Sequence, residues 1–357
     1  MSLPGNALSN LHPDSVSPAE GCRRHLPVLD VLRGFAAVWV CLFHFTRDGR
    51  TVDVLSGTAQ LCAWGWLGVQ MFFVISGFII PLSMYNRSYS LCQFGGFMLR
   101  RMKRLEPPYI ASILVVLSLP FIASFVPGFR GGVAEWSFPQ LAAHIAYLNA
   151  VLRYEWINPV YWTLAIEFQY YICIGLVFPL ISSRLPYVSS SSVMLLAAAG
   201  GLPFDSKDLL PHWLPVFAIG VCAWQVRVGL LRIAESLVTA TVVVCLSAAV
   251  VGFKETAVGV GTAAVILGAG TSALPRLLRP FSLLGTISYS LYLLHEPVGN
   301  RVFNLLRRLP REWVSPETLL VSGFLCSVVA SAVFWFLVEV PAQKWSAKSQ
   351  MFSFSRR

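Results

Sequence analysis

Charged side chains are scarce in this sequence. Asp, Glu, Lys and Arg make up 12% of the 357 residues, whereas 56% of the residues are hydrophobic. A soluble domain of this length needs far more charge to cover its surface, which argues against a soluble enzyme or binding module. The apolar residues form runs of roughly 18–22, the length that crosses about 30 Å of hydrocarbon. The sequence therefore predicts an all-α polytopic membrane protein.

Signals of several other protein classes are also missing. The eight cysteines are scattered without a Cys-x-x-Cys pair, so neither a disulfide framework nor a metal site is expected. The N-terminal segment lacks the apolar core and small-residue cleavage site of a signal peptide, and we interpret it as a cytoplasmic tail. There is no internal repeat. The net charge of +10 is spread along membrane edges, so a nucleic-acid partner is not expected.

Hydropathy predicts about ten transmembrane helices. We place them near 29–46, 64–82, 106–126, 160–181, 187–203, 212–229, 235–253, 256–273, 281–299 and 316–340. The apolar stretch 138–152 is short and contains His144, which suits a re-entrant or interfacial helix. The resulting organisation is a tail over 1–28, a membrane domain over 29–340 and a second tail over 341–357.

The basic residues indicate the orientation in the membrane. An even number of spans puts both termini on one side, and a cytoplasmic N-terminus leaves more Lys and Arg in the inner loops than in the outer loops. The predicted inner loop 83–105 carries much of this bias, although the outer loop from Arg301 to Arg311 opposes it. We therefore expect both termini in the cytoplasm and the protein in the inner membrane of a bacterial cell.

Two ionisable residues share one face of the first span. Arg33 and His44 are separated by eleven positions, about 20° from a whole number of turns and about 16 Å along a helix axis. Charge within a span is costly, so both residues are candidates for function. The alternative is that Arg33 extends to the inner headgroups and His44 to the outer ones.

Later spans contribute a carboxylate and a second histidine. Glu167 lies about two turns into its span, where a carboxyl group must pair or become protonated. Its depth is predicted to match that of His44, which it could orient; the less favoured alternative is a structural hydrogen bond to a neighbouring helix. His295 lies near the outer end of its span, so it is either a catalytic residue or part of the membrane rim.

A basic cluster precedes the third span. If the segment is helical, Arg101 and Arg104 present two guanidinium groups on one face, an arrangement suited to phosphate. The ordinary excess of positive charge on the cytoplasmic side explains the cluster as well. In the second span, Ser76 and Gly77 allow close helix approach and are candidates for lining a cavity. Groups that could bind a phosphorylated donor are thus predicted near the cytoplasmic side of the membrane, and groups that could transfer protons are predicted toward its outer side.

Several motifs together resemble the membrane acyltransferase-3 family, over about Leu29 to Val340. The matching elements are Arg33-x10-His44, the FFVISGF segment 72–78, Arg101-x-x-Arg104, Trp162-Thr163-Leu164-x-x-Glu167 and Ser288-Tyr289-Ser290-x-Tyr292-Leu293-x-His295. Five motifs in the right order make a specific match.

The resemblance implies ten helices, acetyl-CoA or another acyl-CoA as cytoplasmic co-substrate, and a carbohydrate hydroxyl as acceptor. It implies His44 as base or acyl carrier with Glu167 and His295 nearby, and Trp162 and Thr163 beside the cavity. No bound cofactor is implied. The chain is similar to the stand-alone members, since little sequence follows Val340.

Two other functions remain compatible with the same residues. In a proton-coupled transporter or a flippase of lipid-linked sugar, the intramembrane His and Glu would relay protons. The absence of repeats and of matching broken helices argues against it. A structural partner in a polysaccharide assembly complex would leave the intramembrane charges unexplained.

Overall fold

The computed structural model describes residues 26–47, 62–125, 136–203, 206–269 and 275–354. In this part of the chain the regular elements are helices, without strands. They are α1 (Pro27–Thr46), α2 (Gly68–Tyr85), α3 (Phe94–Ser124), α4 (Phe138–Ile145), α5 (Asn149–Leu152), α6 (Trp162–Ile181), α7 (Pro186–Ala198), α8 (Leu210–Arg227), α9 (Ile233–Val250), α10 (Phe253–Gly268), α11 (Arg279–Thr286), α12 (Ser288–Leu306), α13 (Pro316–Phe334) and α14 (Val340–Phe354). The predicted all-α membrane fold is confirmed.

Fewer helices than the predicted ten meet the length and hydropathy of a membrane span. Within the described residues, six helical segments are long and apolar enough to cross a membrane: Pro27–Thr46, Gly65–Tyr85, Leu91–Ser124, Pro159–Ile181, Ile233–Val250 and Pro316–Lys348. A seventh would be the pair Arg276–Thr286 and Ser288–Leu306, which is bent by 72°. The predicted count of ten is therefore not confirmed.

The difference arises at three predicted spans. Span 187–203 corresponds to α7, which has only 13 residues, and span 256–273 corresponds to α10, which has 16. At about 1.5 Å per residue, both are shorter than the roughly 30 Å of hydrocarbon. Span 212–229 corresponds to α8, whose 18 residues include His212, Gln225 and Arg227, so it is less apolar than the six candidate segments. Residue 126 and residues 270–273, at the ends of two predicted spans, lie outside the described part of the chain.

The predicted inner loop 83–105 is also largely helical. Helix α3 begins at Phe94 and continues for 31 residues, so the basic cluster lies on a helix that enters the bundle. The preceding turn is closed by a capping box between Ser90 and Gln93. At the C-terminal end, a π-helical turn, Trp335–Glu339, joins α13 to α14, so the predicted tail 341–357 is helical to Phe354. Most of the predicted tail 1–28 precedes the described residues, and α1 begins at Pro27.

The short stretch 138–152 folds into α4 and α5 and packs against α3. Ser137 caps α4, and His144 is fully buried at its end. The His144 Nε2 accepts a hydrogen bond from the Ile157 amide at 3.0 Å, and the Tyr109 hydroxyl donates to the His144 carbonyl oxygen at 3.3 Å. Burial lowers the pKa of His144, although the Gln140 carbonyl opposes the shift. A neutral His144 therefore ties this segment to the bundle.

Glycines set a close helix contact in the core. Helices α2 and α8 meet at Gly77 and Gly220, where a Cβ on Gly77 would overlap the Phe217 carbonyl oxygen. Small residues let helix backbones approach closely in membrane proteins. Gly77 was a candidate for lining a cavity, but the structure places it in this helix–helix contact.

We expect Gly77→Ala to lower the melting temperature of the protein in detergent, because overpacking typically costs about 1–3 kcal/mol. Gly261→Ala is the matched control, since a Cβ on this exposed glycine of α10 meets no atom within 4 Å. It should leave the melting temperature unchanged or slightly higher. Equal melting temperatures for both variants would contradict the tight α2–α8 contact.

Candidate active site

A cavity of about 730 Å³ lies among α1, α2, α3, α6, α12 and the π-helical turn. Its lining on α2 and the turn that follows extends from Val69 to Arg87, so the cavity follows nearly the whole of that helix. Six residues singled out from the sequence line this one space: Arg33, Ser76, Arg101, Arg104, Thr163 and Glu167. The tertiary structure thus brings together residues from four distant helices.

One end of the cavity is rich in arginine. Arg101 and Arg104 lie one turn apart on α3, and Arg33 and Arg87 join them from α1 and from the turn after α2. The Arg101 guanidinium carbon lies 5.6 Å from the centre of the Phe97 ring and 5.4 Å from that of Tyr171, which fixes the direction of its side chain. This end can bind an anion with several guanidinium groups.

Glu167 belongs to the same end of the site as Arg101. One of its carboxylate oxygens accepts hydrogen bonds from the Ser76 hydroxyl at 3.0 Å and from the Tyr171 hydroxyl at 2.5 Å. It also interacts electrostatically with Arg101. None of the hydrogen bonds described for Glu167 joins it to His44, so a direct orienting contact between these two residues does not form here.

The neighbour of His44 is another histidine. The Nδ1 of His44 lies 3.1 Å from the Nε2 of His295, and the two ring centres are 5.0 Å apart. His295 is almost completely buried on α12, whereas His44 is half-buried on α1. Neither ring lines the cavity. The sequence singled out both residues separately, and the fold places them side by side.

Backbone contacts indicate which nitrogen of each neutral ring carries the proton. The Nδ1 of His44 lies 3.0 Å from the Val40 carbonyl oxygen, and the Nδ1 of His295 lies 3.0 Å from the Leu291 carbonyl oxygen. A carbonyl only accepts, so we assign the proton to Nδ1 in both rings. His295 then accepts from His44 through Nε2, and the lone pair of His44 is on its own Nε2. Two adjacent imidazolium cations would repel each other.

Glu339 is a cavity residue that the sequence analysis missed. It lies in the π-helical turn, is only 4% exposed, and accepts a hydrogen bond from the Ser290 hydroxyl at 2.6 Å. It interacts electrostatically with Arg33 and Arg104. The rule that singled out Glu167 applies to Glu339 too, but Glu339 lies one residue before the end of the predicted span 316–340, and the sequence analysis did not single it out. Trp162, expected beside the cavity, instead packs 5.6 Å from Trp213.

Comparison with known proteins gives a consistent result. A family model described as an acyltransferase domain matches residues 26–339. The O-acetyltransferase OatA of Staphylococcus aureus (strain NCTC 8325 / PS 47) is 33% identical over 178 residues, which cover 45% of this chain and 25% of that protein. The peptidoglycan O-acetyltransferase OatA of Listeria monocytogenes serovar 1/2a is 28% identical over 162 residues, or 42% and 24% of the two chains. The alignments thus span about a quarter of these relatives. No solved structure gives a significant match.

Proposed function

The chain belongs to the membrane acyltransferase-3 family, and we propose that it transfers an acetyl group from cytoplasmic acetyl-CoA to a carbohydrate hydroxyl. The acceptor in this proposal is a surface or exported polysaccharide or its lipid-linked precursor. The similarity to O-acetyltransferases supports the acetyl group and the oxygen acceptor. We place the protein in the bacterial inner membrane with both termini in the cytoplasm.

The observation that carries this proposal is the arrangement of charge in and beside the cavity. Arginines lie at one end of the space, and the histidine pair lies just beyond the side chains at the other end. This separation suits an acyl-CoA, because a long flexible arm separates its phosphates, which arginines would bind, from its thioester, which must reach a histidine. A binding site for free phosphate or for a lipid headgroup would not need a histidine pair at such a distance.

The donor end would bind the phosphate groups. Arg101 and Arg104 offer planar guanidinium groups that pair bidentately with phosphate oxygens, and Arg33 adds a third cation from α1. Glu167 and Tyr171 hold Arg101 in place in this proposal. In the absence of the donor, the Glu339 carboxylate would offset part of the positive charge of Arg33 and Arg104.

His44 would carry the chemistry through Nε2. As a general base, it takes the proton of the acceptor hydroxyl while the oxygen attacks the thioester carbonyl, the C–S bond breaks and the CoA thiolate leaves with that proton. As an acyl carrier, Nε2 itself attacks the thioester and CoA leaves as the thiolate; the acceptor hydroxyl then attacks the acyl carbon, releases the neutral imidazole and gives its proton to the thiolate. In either case His295 positions the ring by accepting the hydrogen bond from Nδ1.

The direct test is acetyl transfer by the purified protein. In detergent or nanodiscs, acetyl-CoA labelled in its acetyl group should be consumed much faster when an acceptor glycan is present, and the label should appear on the glycan as an alkali-labile ester. A mass increase of the surface glycan in cells that express the protein provides the second readout. Proton movement across proteoliposomes without any loss of thioester would contradict acyl transfer and favour a proton-coupled transporter.

A further inference from the structure

We propose that Tyr292, held by Thr163, is a barrier that separates the donor cavity from the histidine pair and limits the acyl group to short chains. We call these two side chains the Tyr292 barrier. This inference rests on the proposed acyl transfer and assigns the residues that decide which acyl group reaches His44.

The cavity ends at these two side chains. On α2 its lining reaches back to Phe72 and Val69, near the start of the helix and far from Arg87. Thr163 in the first turn of α6 and Tyr292 on α12 line the same space. On α1 and the residue before it, the lining stops at Arg33, three turns before His44. The space therefore extends to the depth of Phe72 without reaching the histidine pair.

Tyr292 fills the gap between them. Its ring centre lies 6.0 Å from that of Phe72, which lines the cavity, and 6.0 Å from that of His295, which does not. His295 in turn lies 5.0 Å from His44. The order from the cavity outward is thus Tyr292, His295 and His44. His44 is half-buried and does not line the cavity.

A single hydrogen bond holds the barrier closed. The Tyr292 hydroxyl lies 2.8 Å from the Thr163 hydroxyl oxygen, which also lies 3.0 Å from the Val160 carbonyl oxygen. Thr163 has one proton, and the carbonyl can only accept it, so the Tyr292 hydroxyl donates to Thr163. A neutral bond of this kind can break and re-form in each turnover. Rotation of the Tyr292 side chain would connect the thioester to the histidine pair, and closure would keep water from the acetyl group.

The barrier also explains a limit on acyl size. The acyl group of a bound donor enters the space between Phe72, Thr163 and Tyr292, so a longer chain collides with the tyrosine ring. Reducing the ring to a smaller aliphatic side chain should admit longer chains, whereas removing only the hydroxyl group should not. The limit on acyl size therefore depends on the Tyr292 ring, whereas closure of the barrier depends on the hydrogen bond between Tyr292 and Thr163.

The experiment compares acetyl-CoA with butyryl-CoA in the transfer assay. In Tyr292→Leu, the ratio of kcat/KM for butyryl-CoA to that for acetyl-CoA should rise about tenfold or more, because added methylenes in an apolar pocket discriminate by about 10–200-fold. Tyr292→Phe should keep the wild-type ratio. Ile79→Ala is the matched control, since it enlarges the cavity on α2 at a distance from the barrier and should also keep that ratio.

The role of the hydrogen bond between Tyr292 and Thr163 is tested by measuring hydrolysis of acetyl-CoA without an acceptor. Tyr292→Phe and Thr163→Ala both remove the hydrogen bond, so both should raise this hydrolysis several-fold, and Tyr292→Phe should do so at an unchanged chain-length ratio. An unchanged ratio in Tyr292→Leu, or a complete loss of transfer with donor binding intact, would overturn the barrier. If Tyr292→Leu does not fold, wild-type hydrolysis rates in Tyr292→Phe and Thr163→Ala would overturn it as well. A wild-type protein that consumes no acetyl-CoA would instead refute the proposed function.

Discussion

Replacing His44 by glutamine should reduce acetyl transfer by about 10²–10⁴-fold, the usual effect of removing a general base. Glutamine has a similar reach but cannot take up a proton or hold an acyl group. The loss should appear in kcat, because the arginine end of the cavity remains intact. The measurements are the rate of single-turnover transfer and the Kd for acetyl-CoA. The Kd should stay within about twofold of wild type, which is a change in binding free energy smaller than RT.

Two companion variants make this result specific. His212→Gln is the matched control, because His212 lies on α8 outside the cavity and outside the histidine pair, so the variant should transfer at the wild-type rate. His295→Gln should lose less activity than His44→Gln, since an amide oxygen can still accept from the His44 Nδ1. Near wild-type turnover in His44→Gln would contradict a catalytic role for His44 and would point to His295 or Glu167 as the catalytic residue.

Replacing Arg101 by alanine should raise the KM for acetyl-CoA by about 10–150-fold, since a hydrogen bond between charged groups is worth about 1.5–3 kcal/mol. Turnover at saturating donor should change little, because the histidine pair is untouched. Arg101→Lys should recover only part of the affinity, as an ammonium group lacks the planar fork of two donors. Initial rates over a range of acetyl-CoA concentrations give both constants.

Arg100 is a suitable control for this prediction. It neighbours Arg101 on α3 and carries the same charge, but it does not line the cavity. Arg100→Ala should therefore keep the donor KM close to wild type while removing the same unit of charge from this end of the protein. Equal KM values for the two alanine variants would mean that the basic cluster serves only to orient the chain in the membrane.

Much of the fold could be predicted because helices in a membrane must satisfy their own backbone hydrogen bonds. The apolar runs therefore predict α1, α2, α6, α9 and α13 well. The count of ten was not confirmed at three helices. Helices α7 and α10 are shorter than a membrane span, and α8 carries His212, Gln225 and Arg227 among its apolar residues.

The candidate site could be predicted in part from single residues. The energetic cost of charge in a membrane singles out Arg33, His44 and Glu167 without any structure. The same rule missed Glu339, because the predicted span ends at residue 340, whereas the apolar helical segment continues to Lys348. The hydroxyl groups of Thr163 and Tyr292 carry no charge, so this rule could not assign them a role.

Sequence by itself determined the membrane environment, the helical class and a list of intramembrane ionisable residues, because each depends on composition and local spacing. Only the tertiary structure decided which of these residues meet. Glu167 is paired with Ser76 and Tyr171, whereas His44 is paired with His295, which lies 251 positions away in the chain. Such partners depend on how helices pack, and helix packing is set by shape across distant segments that no local pattern records.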